Sequence, residues 1–158
     1  MKRTLFIGIT LFTFAFAMQS CIIEGCTDED AANYDSAANE DDGSCYYEGE
    51  AVFWTDDDYG VGNISVYVGG TYEGQITGYY DYAPACNASS AVTVTRSPGT
   101  HYFTASATGT TWEGSIYITT NGCYTMRLYV NKDGNAKSEM VERTTENAES
   151  TLVEFKKN

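Results

Sequence analysis

The chain has 158 residues, with 22 Asp or Glu against nine Lys or Arg and a single His, for a formal net charge of −13. A surface of this sign repels nucleic acid and anionic lipid headgroups, which excludes nucleic-acid binding and favours cations or basic partners. One histidine leaves a serine triad or a histidine-rich zinc site with almost nothing to draw on.

Residues 1–20 read as an export signal. Lys2 and Arg3 are the basic start, Leu5 to Ala17 is an apolar run of signal-peptide rather than membrane-spanning length, and Met18-Gln19-Ser20-Cys21 follows. Small Ser20 before a cysteine resembles the lipobox of bacterial lipoproteins, which implies diacylation of Cys21 and cleavage before it. An ordinary secretory signal cleaved nearby is the other reading. Ile22 follows, not the Asp that retains lipoproteins in the inner membrane of enteric bacteria, so by analogy the expectation is an outer-membrane or cell-surface lipoprotein.

The cysteine count agrees with acylation. Five cysteines leave one unpaired in an exported chain, unless Cys21 carries lipid and Cys26, Cys45, Cys86 and Cys123 form two bridges. Four cysteines permit three connectivities. The expected pairs are Cys26 with Cys45 and Cys86 with Cys123, because each then lies within one compositional region. Without residues 1–20, seven bases face 22 acids, a net charge of −15, and the first base after Cys21 is Arg96.

Residues 21–49 are acidic and poor in branched apolar side chains after Ile22 and Ile23, so a bridge or a ligand must hold them. GCTDEDAANYDSAANEDDGSC, Gly25 to Cys45, encloses seven acids and no base. It resembles the G-C-T-D-x-x-A-x-N-Y-D-x-x-A-x-x-D-D-G-S-C repeat of exported bacterial envelope proteins and matches every fixed position. Calcium is commonly supposed for such repeats. Carboxylates about 4 Å apart in a partly screened site repel by roughly 4 kcal/mol, whereas a bridge closing such a loop contributes about 3 kcal/mol. A Ca²⁺ ion, taking roughly six to eight oxygens, could hold them inward. The candidate ligands are Asp28, Asp30, Asn33, Asp35, Asp41 and Asp42, with Gly43 allowing a sharp turn. The arrangement is not an EF-hand: counting from Asp28, Ala32 stands at the fifth position, Asn33 where the turn needs Gly, and Asn39 where a bidentate Glu is required. The alternative is a solvated loop stapled only by its disulfide.

Residues 50–130 read as strands of a small antiparallel β-sandwich, an open barrel being the other closure. Ile64 to Val68 alternates with period two, and Gly69-Gly70 turns it into TYEGQIT. Val92 to Arg96, the turn SPGT and His101 to Ala107 are expected as a second hairpin. WEGSIYITT, Asn121-Gly122 and CYTMRLYV are expected as a third, with Ile116, Ile118, Tyr124, Met126 and Leu128 in the core. Trp54 and Trp112, each flanking a strand, are also assigned to it. From Ile64 to Thr119 the pattern ISVYVGGTYEGQIT, SPGTHYFTASATG, WEGSIYIT resembles the PEGA family of small surface sandwiches, although Gly69 stands where that family prefers Asp. His101, in the P-G-x-H context, is expected to pack at a strand start.

Tyr79, Tyr80 and Tyr82, with Asp81 between them, are a candidate ligand-binding loop, since aromatic faces beside a carboxylate suit a sugar or a protein partner. The same tyrosines could instead pack over the end of the sandwich. Residues 131–158 are polar, with KDGN at Lys132 to Asn135 able to turn the chain into one more edge strand and a short apolar return at Thr151 to Phe155. The expected function is a lipid-anchored, non-enzymatic envelope protein with a calcium-binding acidic motif and an interaction domain that meets another envelope protein. A carbohydrate-binding lipoprotein using the Tyr79–Tyr82 loop is the alternative.

Overall fold

The computed structural model describes residues 21–141 and, as backbone, a strand at 152–154. The export signal of residues 1–20 and most of the C-terminal extension lie outside the described residues. The acidic segment holds two two-residue strands, β1 (Glu24–Gly25) and β2 (Glu40–Asp41), paired in parallel. Two four-stranded sheets follow. Sheet one has the order β11 (Ala136–Val141), β10 (Cys123–Val130), β3 (Gly49–Trp54), β7 (Val92–Arg96). Sheet two has the order β5 (Thr71–Ile76), β4 (Ile64–Val68), β8 (Gly99–Ala107), β9 (Thr110–Ile118). A short β6 (Gly78–Tyr80) pairs with β12 (Leu152–Glu154). The fold is a β-sandwich, antiparallel except where β3 lies parallel to β10 and β1 to β2.

Period-two alternation puts one face of each sheet inward. Ala51, Phe53, Val92, Val94, Met126 and Leu128 of sheet one meet Ile64, Val66, Phe103, Ala105, Trp112, Ile116 and Ile118 of sheet two in one buried cluster. Phe53 and Phe103 cross the interface edge to face, centroids 5.0 Å apart. Four of the five expected core residues of the third segment are fully buried. Tyr124 sits half-buried at the rim, sharing a 2.6 Å hydrogen bond with Thr119. Trp112 donates its indole N–H to the Tyr129 carbonyl, whereas Trp54 is buried on the outer face of sheet one with Tyr80 and Ala83.

Of the three expected hairpins, only β4–β5 forms. β7 pairs with β3 and β8 with β9, so the SPGT segment carries the chain from one sheet to the other. Pro98 has no N–H for a ladder and Gly99 takes φ 140°, which suits a corner rather than a tight turn. Asn121-Gly122 is likewise a corner: the Asn121 N–H bonds the Glu48 carbonyl and the Gly122 carbonyl receives the Glu50 N–H, tying the corner to the start of β3. The second true hairpins are β8–β9, turned at Gly109, and β10–β11, turned at Asn131–Asn135, the edge strand anticipated after Lys132.

Candidate functional site

The acidic segment folds as one closed unit. Cys26 bridges Cys45, and Cys26 and Ala31 are its only buried apolar residues, so burial contributes little to holding it. The bridge is joined by hydrogen bonds, both between backbone groups and from side chain to backbone. Asp28, Asp35, Asp41 and Asp42 each accept from the backbone N–H two residues on, the local pattern that short acidic side chains favour in turns. The Asn33 amide spans the loop, donating to the Ser44 carbonyl at 2.9 Å and accepting from the Tyr46 N–H at 3.0 Å. Asn39 does the same at the other end, between the Cys21 carbonyl and the Ile23 N–H. Neither amide latch was visible as such in the sequence, where Asn39 figured only as a misfit to the EF-hand.

The hydrogen bonds also set charge states. Tyr47 donates to Asp28 at 2.6 Å and, with the Asp30 N–H, holds the Asp28 carboxyl below its usual range; the same bond raises the Tyr47 phenol. Ser44 lowers Asp42 through its side chain and its N–H.

Asp28, Asp30, Asp35, Asp41 and Asp42 are exposed or nearly so, and among the described residues no three of their carboxylates converge to the spacing a cation needs. Ca²⁺ demands six or more oxygens around one centre. One oxygen of each of four of these carboxylates accepts from a backbone N–H.

The only convergence of three metal-type donors among the described residues is Glu50 with Cys86 and Cys123. Both sulfurs are spent in the second disulfide, which joins the segment after β6 to the start of β10. Glu50 faces a cleft of about 350 Å³ between the acidic unit and the sandwich, lined also by Ala32, Glu48 and Asn121. Asn121 donates to the Asp30 carbonyl there, linking the two parts. The cleft holds carboxylates but no free nucleophile or base beyond them. His101, the only histidine, is bonded through Nε2 to the Ser97 carbonyl at the start of β8, as its P-G-x-H setting leads one to expect.

The tyrosine loop is split by its own backbone. Tyr79 and Tyr80 are neighbours in β6 and face opposite ways. Tyr80 is buried against Trp54 and Ala83, its hydroxyl accepting from the Ser90 N–H, while Tyr79 is half-buried and Tyr82 exposed. Tyr80 therefore serves packing under the bridge. Four other tyrosines, Tyr67, Tyr72, Tyr102 and Tyr117, stand on the outer face of sheet two.

Compared with known proteins, the chain matches no family model and no curated relative.

Proposed function

We propose that this is a lipid-anchored, non-enzymatic protein of the cell envelope, in which the acidic unit is a folded spacer and the sandwich is an interaction domain. The observation that carries this reading is the disposition of the five cysteines: four are bridged in two local pairs, and Cys21 alone is free and exposed at the head of the acidic unit. An exported chain with a single unpaired cysteine, directly after a signal and a small residue, suits acylation at that sulfur. The Asn39 amide bonded to the Cys21 carbonyl ties the unit's end to the proposed anchor, so the spacer begins without slack.

The non-enzymatic reading draws on the same inventory. The bridged sulfurs are unavailable as nucleophiles, and the His101 ring is engaged by the Ser97 carbonyl. The resemblance to an envelope repeat supports the location, and Ile22 after Cys21 favours the outer membrane or the surface.

Metabolic labelling with a fatty-acid analogue tests the anchor. The wild type takes label and Cys21→Ser does not, and the variant leaves the membrane fraction. An unlabelled wild type ends the lipoprotein reading.

A further inference from the structure

The two outer faces of the sandwich are finished differently. On sheet one, the segment after β6 lies over Trp54 and is tacked down by Cys86–Cys123. On sheet two, the outward positions of all four strands are exposed or half-exposed, so among the described residues nothing covers them. Each strand sets one tyrosine on this open face. Tyr72 of β5 stands opposite Tyr67 of β4, ring centroids 5.4 Å apart. Tyr67 is paired with Thr104, two residues from Tyr102 on β8; Tyr117 on β9 is paired with Thr100, again two residues from Tyr102. Both steps go the same way along the sheet. The four rings therefore form a diagonal row across it, with later steps of about 7–8 Å and a total reach of roughly 20 Å. Tyr72, Tyr102 and Tyr117 are 54 %, 53 % and 57 % exposed, a large outlay of aromatic surface on one flat side of a small domain.

The surroundings select the ligand. Ser65, Gln75, Thr104 and Ser115 lie on the same face, supplying hydroxyl and amide partners beside the rings, with Gln75 bonded to Ser65 at 3.1 Å. No Lys or Arg occupies an outward position of these strands, which removes the counter-charge that a polyanion needs. No aliphatic side chain stands there either, so the four rings are the only apolar surface on offer and polar groups fill the spaces between them. A row of spaced rings with hydrogen-bonding groups between them suits a flat, repeating, uncharged polymer. Sugar rings present polarised C–H faces to the negative face of an aromatic ring and hydroxyls at their edges. Tyr102 is steadied for this by its 3.1 Å hydrogen bond to Glu113.

We propose that the open face of sheet two binds an extended neutral glycan, stacked along Tyr72, Tyr67, Tyr102 and Tyr117. The site is separate from the Tyr79–Tyr82 loop and does not depend on the anchor, so failure of either proposal leaves the other standing.

Affinity electrophoresis of the full chain in mild detergent tests it, with gels containing β-glucan, glucomannan, galactomannan or xylan as neutral probes and alginate as the polyanion. Retardation is expected in at least one neutral gel. Tyr67→Ala with Tyr102→Ala should weaken it by about tenfold, the loss of two stacking rings, while Tyr102→Phe keeps the ring and most of the effect and Tyr82→Ala changes nothing. Matched thermal melts of these exposed-site variants separate lost binding from lost folding. Retardation in no neutral gel, in alginate alone, or equally in wild type and the double variant overturns the proposal, as does capture of a protein by the stripe without glycan retardation.

Discussion

Tyr47 donates its phenol hydroxyl to the Asp28 carboxylate at 2.6 Å, joining residues 19 apart across the end of the bridged acidic unit. The bond stabilises ionised Asp28 and neutral Tyr47, and the two act over opposite pH ranges. Asp28 has its folded pKa lowered, so its contribution is present above the ordinary carboxylate value and is lost as pH falls through the lowered one. Tyr47 has its pKa raised, so its contribution is present below the ordinary phenol value and is lost as pH rises through the raised one. In an NMR titration, Tyr47→Phe should move Asp28 up toward the ordinary range and Asp28→Asn should move Tyr47 down. Titrations that do not respond to the exchange show the contact to be absent in solution.

The acidic unit should keep its fold without calcium. Its turns are closed by Asp side chains on backbone N–H groups and by the Asn33 and Asn39 latches. Hydrogen exchange of the oxidised protein is expected to be the same in chelator and in millimolar Ca²⁺. Asn33→Ala should expose the Tyr46 amide by roughly fivefold, the equivalent of about 1 kcal/mol for a net hydrogen bond. Protection that rises with Ca²⁺ would mean that the carboxylates regroup around the ion.

Gly49 opens β3 where no side chain fits: a Cβ there collides with the Thr119 carbonyl and the Ile118 side chain. Backbone on the receiving side cannot yield as a flexible side chain can. Gly49→Ala should cost about 1–3 kcal/mol or more in urea unfolding, whereas Ala at half-buried Gly25, which meets only side-chain atoms at 3.2 Å and beyond, should cost less.

Loss of Cys86–Cys123, by the double Ala variant, should destabilise the sandwich by about 2–5 kcal/mol. Because the bridge also pins the cover over Trp54, tryptophan emission should shift to the red before the core unfolds. Coincident changes would show the cover and the core to be one cooperative unit.

Much of this architecture is legible in the residues, and the failures share one cause. Alternation in Ile64–Val68 and Val92–Arg96 marks strands and their buried faces, because period two is a local property. Turn signals are local too, but SPGT and Asn121-Gly122 say only that the chain changes direction, not whether the next strand pairs with the last or crosses to the other sheet. The parallel partnership of β3 with β10 depends on residues more than 70 positions apart and leaves no mark in either segment. The tyrosines divide the same way. Tyr79, Tyr80 and Tyr82 attract notice by adjacency, which in a strand sends neighbours to opposite faces. The row of Tyr72, Tyr67, Tyr102 and Tyr117 exists only through the register of four strands. Cysteine parity reached further, since the two bridges close within their own regions as compositional change implied.

The position of β3 carries a mechanical consequence. It is the first strand after the acidic unit, and it lies inside sheet one with β10 on one side and β7 on the other. Tension travelling along it from the direction of Cys21 finds no free edge from which hydrogen bonds can be peeled one at a time. It loads both ladders in shear, so that many bonds must slip together. Were the chain anchored at Cys21 as proposed, this placement of one strand would oppose extraction by a pull, independently of equilibrium stability.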